Sequence, residues 1–272
     1  MTTVLVFDIE TIPDAHGIRR LEDWPASMSD LEVIQKAQAQ RLEKSGTDFM
    51  PLHLQQIVAI SCVIRRTTRE GQPQFKVGSL GNEQSTEKEL VQAFFDLIEK
   101  YTPQLVSWNG SGFDLPVLHY RALIHGINAS RYWEMGESGE VDSRDFKWNN
   151  YISRYHMRHI DLMDLLAKFS GRANAPLDAL AKLCGFPGKM GMDGSQVWQG
   201  FLDGKIKEIR NYCETDVVNT YLLYARFQKM RGGFSDLEYE EEIKFIQAEL
   251  SKESKTPAGG FWTEYLAGFQ SH

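Results

Sequence analysis

The chain has 272 residues, 42% hydrophobic and 25% charged, the balance of an ordinary soluble globular protein long enough to bury a full core. No apolar run approaches the ~20 residues of a membrane span, and the N-terminus carries neither a basic segment nor the long apolar core of a secretion signal. The formal net charge of −7 excludes the bulk basic face of a protein that wraps long duplex, and leaves local contact at a groove or strand end.

In chain order, residues 3–9 read as a buried strand, and 57–64 ("IVAISCVI") and 75–80 ("FKVGSL") as two more. Residues 14–56 interrupt the first two strands; "DLEVIQKAQAQRLEK" within them reads as a solvent-facing helix. Residues 85–101 form an amphipathic helix whose Thr86 and Glu89 have the spacing of a capping box. A short strand is expected at 104–109 and a helix at 114–126, with Pro116 in its first turn. Residues 128–158 are polar and aromatic and carry no clear period. Short helices at 162–171 and 176–185 each stop at glycine. Residues 205–230 read as a long helix whose core face carries Ile206, Ile209, Cys213, Val217 and Thr220 or Tyr221. One more helix is expected at 236–250, followed by an unassigned tail.

Strands first, then helix alternating with strand, point to an α/β fold with an antiparallel start to its sheet. The expected organisation is one domain over residues 1–272, with a helical insertion at about 14–56 and a helical extension from about 231. The three cysteines, Cys62, Cys184 and Cys213, are scattered and form no CxxC. A disulfide framework or structural zinc site is therefore not expected, and the reading is a reducing, cytoplasmic compartment.

Asp8 and Glu10, in "FDIET", lie two residues apart on the first strand and so point to one face. Asp114 follows "SWNGSGF" where a loop enters a helix. Tyr212 and Asp216 are four residues apart and share a face of the long helix. Each has a plain structural reading: solvated strand-end acids, a helix N-cap, one polar edge of a helix. Together they raise another, because two carboxylates ~4 Å apart repel by roughly 4 kcal/mol at an effective dielectric of about 20. Four gathered at one place need protons or a cation. All-oxygen ligands suit hard ions such as Mg²⁺ or Mn²⁺, and a cation supplies the positive charge that an acidic protein lacks toward phosphate. Two such ions form a clamp for in-line attack on a phosphodiester, one activating water and the other stabilising the departing 3′ oxygen.

"FDIET", "NGSGFD" and "YCETD", in that order, resemble the three exonuclease motifs of the DEDD superfamily of 3′–5′ exonucleases. Tyrosine, three residues and then aspartate match the tyrosine subclass. The histidine subclass, which includes oligoribonuclease and ribonuclease T, would place histidine where this chain has Asn211. More narrowly, "FDIETIPD" and "GFPGKMGMDGSQV" are similar to stand-alone bacterial proteins related to the proofreading domain of family B DNA polymerases. The resemblance covers roughly residues 3–225. It implies a ribonuclease H-like mixed sheet, antiparallel at its start and then parallel, flanked by helices. It also implies an active two-metal hydrolase working from the 3′ end of single-stranded nucleic acid. Residue by residue it makes Asp8, Glu10, Asp114 and Asp216 ligands of two divalent cations, Mg²⁺ or Mn²⁺, and Tyr212 the holder of the attacking water. Asn109 and Phe113 match the second motif and, with Thr11 of the first, are expected at the pocket for the terminal nucleotide. A phenol of pKa ~10 is only about 0.1% ionised at neutral pH, so Tyr212 is expected to orient water by hydrogen bonding and not to act as a base.

Weaker signals flank these. "RDFKWNNYISRYHMRH" (144–159) interleaves Arg154 and Arg158 with aromatics, the chemistry of single-strand contact or of a loop filling core. Replacing both arginines is expected to raise KM for oligonucleotides. Asp161 and Asp164 read as helix caps. "GFPGKMGMDGS" (185–195) holds Lys189 and reads as a surface loop or, by the family likeness, as a substrate contact. The seven histidines show no metal spacing. DNA is the expected substrate, with RNA the alternative within the same superfamily. A haloacid-dehalogenase-like phosphatase also starts from a strand-borne acid pair, but needs D-x-D where this chain has D-x-E. A non-catalytic nucleic-acid binding module is the remaining rival, and unneeded carboxylates would weaken its hold on phosphate.

Overall fold

The computed structural model describes residues 3–137 and 141–270; part of the unassigned 128–158 stretch, and the last residues of the tail, lie outside them. In chain order the elements are β1 (Val4–Pro13), α1 (Ala15–Leu21), α2 (Asp30–Ser45), β2 (Gln55–Thr67), β3 (Pro73–Ser79), α3 (Glu87–Tyr101), β4 (Gln104–Ser107) and α4 (Asp114–His125). There follow β5 (His159–Asp161), α5 (Leu162–Leu166), α6 (Leu177–Leu183), α7 (Val197–Leu202), α8 (Ile206–Met230), α9 (Asp236–Glu253) and α10 (Phe261–Ala267).

The strands stand in the order β3-β2-β1-β4-β5. β1 pairs antiparallel with β2, and β2 with β3; β4 runs parallel to β1, and β5 parallel to β4. This is the mixed sheet, antiparallel at its start and then parallel, that was expected. Alternation along β1 sorts its side chains onto two cores. Leu5, Phe7 and Ile9 pack with Leu90, Phe94, Val117 and Leu118 of α3 and α4. Val4 and Val6 pack with Val217, Tyr221 and Leu222 of α8. Asp8 and Glu10 continue that second face, so the α8 side of the sheet turns from apolar to acidic along β1.

Local signals set several boundaries. Thr86 Oγ1 accepts from Glu89 N–H at 3.3 Å while Glu89 Oε2 accepts from Thr86 N–H at 2.7 Å, closing the capping box of α3. α5 is shorter than expected, because Lys168 and Phe169 adopt φ of +55° and +60° and turn the chain out of the helix after Ala167. α2 does not simply face solvent: Val33, Ile34 and Ala37 are buried against Ala15, Ile18 and Met50. The insertion is fastened by a buried ion cluster, in which Arg121 of α4 reaches Asp14 at 2.6 Å and Glu87 at 2.5 Å. The C-terminal extension joins the main core, where Ile246, Leu250, Trp262 and Tyr265 pack in the same cluster as Val4 and Val63. Among the described residues no helix is long and apolar enough to cross a membrane.

Candidate active site

β1 supplies the first two acids. The pairing register with β2 shifts between Glu10 and Thr11, a bulge that bends the strand just after the acid pair. Glu10 is 7% exposed. α8 lies across this end of the sheet and brings Tyr212 and Asp216 on one face, Asp216 being 5% exposed.

The third acid arrives through the turn after β4. Asn109 takes φ of +68°, a conformation asparagine tolerates better than most residues. Its carbonyl accepts from the Gly112 and Phe113 amides, each at 3.0 Å. A Cβ on Gly112 would fall 2.6 Å from Asn109 Oδ1, so a larger residue there would push the Asn109 side chain aside. Asp161, at the end of β5, clamps the turn from outside: Oδ1 accepts from Asn109 N–H at 3.0 Å and Oδ2 from Ser111 N–H at 2.8 Å. Asp161 also caps α5 through Asp164 N–H at 3.3 Å, so the expected capping role is present beside an unexpected one. Asp114, 3% exposed, does not cap its own helix; its Oδ1 accepts from Ile9 N–H of β1 at 3.1 Å.

Asp8, Glu10, Asp114, Tyr212 and Asp216 therefore line one open cleft of about 530 Å³, together with Asn109, Phe113 and Lys189. A cavity of about 500 Å³ between α7, α8 and α10 shares Tyr212 with it but none of the four acids. Burial raises the pKa of every acid in the set. Asp8 is pushed well above the usual carboxylate range by burial and then by Asp114, Glu10 and Asp216. Glu10 rises by burial and the Asp216 charge, against the pull of Lys189. Burial lifts Asp114 to about 7 despite the stabilising hydrogen bond from Ile9, and Asp216 to about 6 despite Lys189 and Tyr212.

These groups fit a hard divalent cation. Asp216 Oδ1 is buried and has, among the described residues, no hydrogen-bond partner. An orphaned carboxylate oxygen inside a protein costs about 1–3 kcal/mol or more unless something positive meets it. One ligand oxygen each from Asp8 and Glu10 and the Cys213 sulfur lie within 4.8 Å of one another. Burial and the Asp8 charge push the Cys213 thiol up, as burial does the acids around it, so in the empty site it stays protonated. The thiol lies 3.4 Å from the Asp8 carbonyl oxygen and 3.6 Å from Asp8 Oδ2, to which it donates, holding the carboxylate in place. The sequence placed Cys213 on the core face of α8 but gave no sign of this contact.

Lys189 sits inside the cleft. Its Nζ donates to Tyr212 Oη at 2.5 Å and lies 3.8 Å from Asp216 Oδ2. The loop carrying it is locked from below: Asn219 Nδ2 donates to Gly188 O at 2.8 Å, while Asn219 Oδ1 accepts from Gly188 N–H at 3.2 Å and from Tyr265 Oη at 2.9 Å. Tyr212 itself is held far above the ordinary phenol pKa by burial and by Asp216, Glu10 and Asp8, so its hydroxyl stays protonated.

Other expected residues stand elsewhere. Thr11 faces a neighbouring cavity, its Oγ1 donating to Gln55 Oε1 at 3.0 Å. Neither Arg154 nor Arg158 lines the acid cleft. Arg154 pairs with Asp164 at 3.5 Å and lies 4.5 Å over the Phe169 ring. Arg158 folds back on its own segment, donating to Asn149 O and lying 4.0 Å over the Phe146 ring. Arg158→Ala is accordingly expected to lower stability by about 1–2 kcal/mol in denaturant unfolding, with KM unaffected. Missed by sequence reading were Trp108, Met163 and Leu177 of the cleft wall. Trp108 adjoins the Asn109 motif, and Trp108 Nε1 donates to Ala175 O at 3.1 Å, joining two sides of the cleft.

A family described as "Predicted 3'-5' exonuclease related to the exonuclease domain of PolB" matches residues 47–269. No curated protein matches the chain. Among solved structures, the family B DNA polymerase from the hyperthermophilic archaeon Pyrobaculum calidifontis is similar over 99% of this chain and 27% of its own, at 16% identity and a TM-score of 0.45.

Proposed function

The chain belongs to the family of predicted 3′–5′ exonucleases related to the exonuclease domain of PolB, and from that premise we propose that it removes mononucleotides from the 3′ end of single-stranded nucleic acid, DNA in preference to RNA. The observation that carries this reading is the convergence on one cleft of four carboxylates from β1, α4 and α8, those of Glu10, Asp114 and Asp216 buried and that of Asp8 partly so, with Asp216 Oδ1 left, among the described residues, without a hydrogen-bond partner. Asp8, Glu10, Asp114 and Asp216 would hold two divalent cations, Mg²⁺ or Mn²⁺. Such ions supply Lewis-acid polarisation of the phosphodiester and a lowered pKa for water.

The chain's own residues do the rest. Tyr212, protonated, orients the attacking water as a hydrogen-bond donor and acceptor. Lys189 holds Tyr212 Oη in place and offers positive charge to the phosphate. Asn109 and Phe113 shape the pocket for the terminal nucleotide. Asp161 and Cys213 act one step back, holding the Asn109 turn and Asp8. We read residues 1–272 as a single domain with its insertion and extension. The scattered spacing of its three cysteines suits a reducing, cytoplasmic setting. The test uses single-stranded DNA and RNA labelled at either end, with Mg²⁺, Mn²⁺ or chelator. Metal-dependent release of mononucleotides from the 3′ end, lost in Asp114→Ala by at least about 100-fold, is the expected result. Cleavage unchanged in that variant, or binding without cleavage in Mn²⁺, would contradict it.

A further inference from the structure

Acidic residues are spread through the chain, 37 Asp and Glu in 272 residues, yet residues 146–160 and 165–177 contain none. Those two runs carry Lys147, Arg154, Arg158, Lys168 and Arg172. In a protein of net charge −7 they are a local cationic exception. The acids between them are engaged: Asp161 clamps the Asn109 turn, and Asp164 pairs with Arg154 at 3.5 Å.

The fold brings the two runs together. Tyr155 of the first and Phe169 of the second meet edge to face, their centroids 6.1 Å apart, and Arg154 covers the Phe169 ring. The rings touch, so nothing enters between them; the open surface is the face of Tyr155, which is 79% exposed. Lys168 and Arg172 are exposed as well. A single exposed aromatic needs no explanation, but this one stands among cations on a stretch cleared of acids. The second run also leads to the acid cleft. Ala175, Pro176 and Leu177 at its end wall that cleft. Near its start, Phe169 N–H donates to Asp164 O at 2.7 Å, beside Met163 of the same wall. The cationic face thus begins where the cleft wall ends.

Resting on the exonuclease reading, we propose that this face is a track for the strand upstream of its 3′ end, on which Tyr155 stacks against a base while Lys168 and Arg172 meet phosphates. Cations that follow the backbone beside an aromatic platform hold a single strand whatever its sequence, because every base has a π-face. A duplex keeps its base faces inside its own stack, so the Tyr155 platform serves unpaired nucleotides alone. Arg154 takes a supporting part, since its guanidinium is held between Asp164 and Phe169. Arg158 takes none, being turned inward onto Phe146 and Asn149.

The experiment measures initial rates on single-stranded DNA of about 3 and about 16 nucleotides with the same 3′ end, since a non-specific single-strand site spans about 4–16 nucleotides. Wild type is expected to show the lower KM on the longer strand. Tyr155→Ala is expected to raise that KM roughly tenfold with kcat unchanged and the short strand unaffected, because stacking is binding made equally in ground and transition state. Tyr155→Phe is expected to restore it. Lys168→Glu combined with Arg172→Glu is expected to raise the same KM and to flatten its dependence on salt. Equal KM on both lengths in wild type, an unchanged KM in Tyr155→Ala, or a loss of the same size on both lengths overturns the track while the exonuclease reading stands. An unchanged KM with altered sedimentation in Tyr155→Ala would assign the face to a protein contact instead. Binding of the longer strand in chelator, read by fluorescence anisotropy, separates the two readings. It is expected to weaken in Tyr155→Ala whether or not the wild type cleaves, whereas absence of cleavage in Mg²⁺ and Mn²⁺ overturns the exonuclease reading. Tyr155 lies outside the core, so the alanine variant should fold, and a melting curve checks that it does.

Discussion

Tyr212→Phe is expected to lower kcat by about 10²–10³-fold while leaving divalent-metal affinity intact, whereas Asp8→Ala is expected to lose both. The contrast follows from where the two groups stand. The Tyr212 hydroxyl is shielded, faces Asp216, Glu10 and Asp8, and accepts from Lys189 at 2.5 Å. Those carboxylates make ionisation of the phenol unfavourable, so its contribution is position, and removing one oxygen removes the position alone. Asp8 is different. It lies at the centre of the repelling set, coupled to Asp114, Glu10 and Asp216 and steadied by Cys213. Without it the remaining acids lose the electrostatic focus that draws a cation. Steady-state turnover on labelled oligonucleotide, paired with Mn²⁺ titration by calorimetry, separates the outcomes. Full turnover in Tyr212→Phe would remove the tyrosine from the chemistry. Normal Mn²⁺ binding in Asp8→Ala would break the cluster reading.

The second large effect concerns stability. Asp114 and Asp216 have folded-state pKa values of about 7 and about 6, above the ordinary carboxylate value near 4 that the unfolded chain shows. Between those values the folded protein binds protons that the unfolded chain has released, so stability falls as pH rises. The contribution is fully present below pH ~4 and is lost as pH passes through about 6 and about 7. In chelator, Asp216→Asn is therefore expected to match wild type near pH 3.5 and to exceed it at pH 8, by on the order of 3 kcal/mol. Taking the difference between the two proteins cancels the titrating groups outside the acid cluster, while Asp8 and Glu10, relieved of the Asp216 charge, move toward their ordinary range. Added Mg²⁺ or Mn²⁺ should reverse the order at pH 8, because a cation that binds only the folded state, at about 1,000 times its Kd, stabilises by about 4.1 kcal/mol. Thermal melts across pH, with and without metal, read both effects. Parallel curves for the two proteins, with no metal shift in wild type, would sink the account.

Both predictions concern residues that short motifs already marked. "FDIET", "NGSGFD" and "YCETD" were legible because their backbone settings are local: a strand places alternate residues on one face, a helix places i and i+4 together, and an Asn-Gly turn folds on itself. The mixed sheet was legible for the same reason, from runs whose period and length separate strand from helix. β5 was not, since three residues are too few to show a period. Nor was α10, which is short and buries Trp262 and Tyr265 against distant elements.

What stood beyond the reach of local pattern was every contact between remote segments. Asp161 holds the Asn109 turn from about fifty positions away, and Cys213 meets Asp8 across a separation of 205. Lys189 comes from a glycine-rich loop whose direction depends on Asn219 of α8 and Tyr265 of α10. Arg158 looked like a phosphate contact by composition, yet Phe146 and Asn149 offered its guanidinium a nearer partner. Residue types and their short spacings set which chemistry this chain carries, because backbone periodicity acts over a few residues. Which of those groups share a cleft was decided by packing and hydrogen bonds between β1, α4, α8 and the loops around them, since charge and burial act through space and not along the chain.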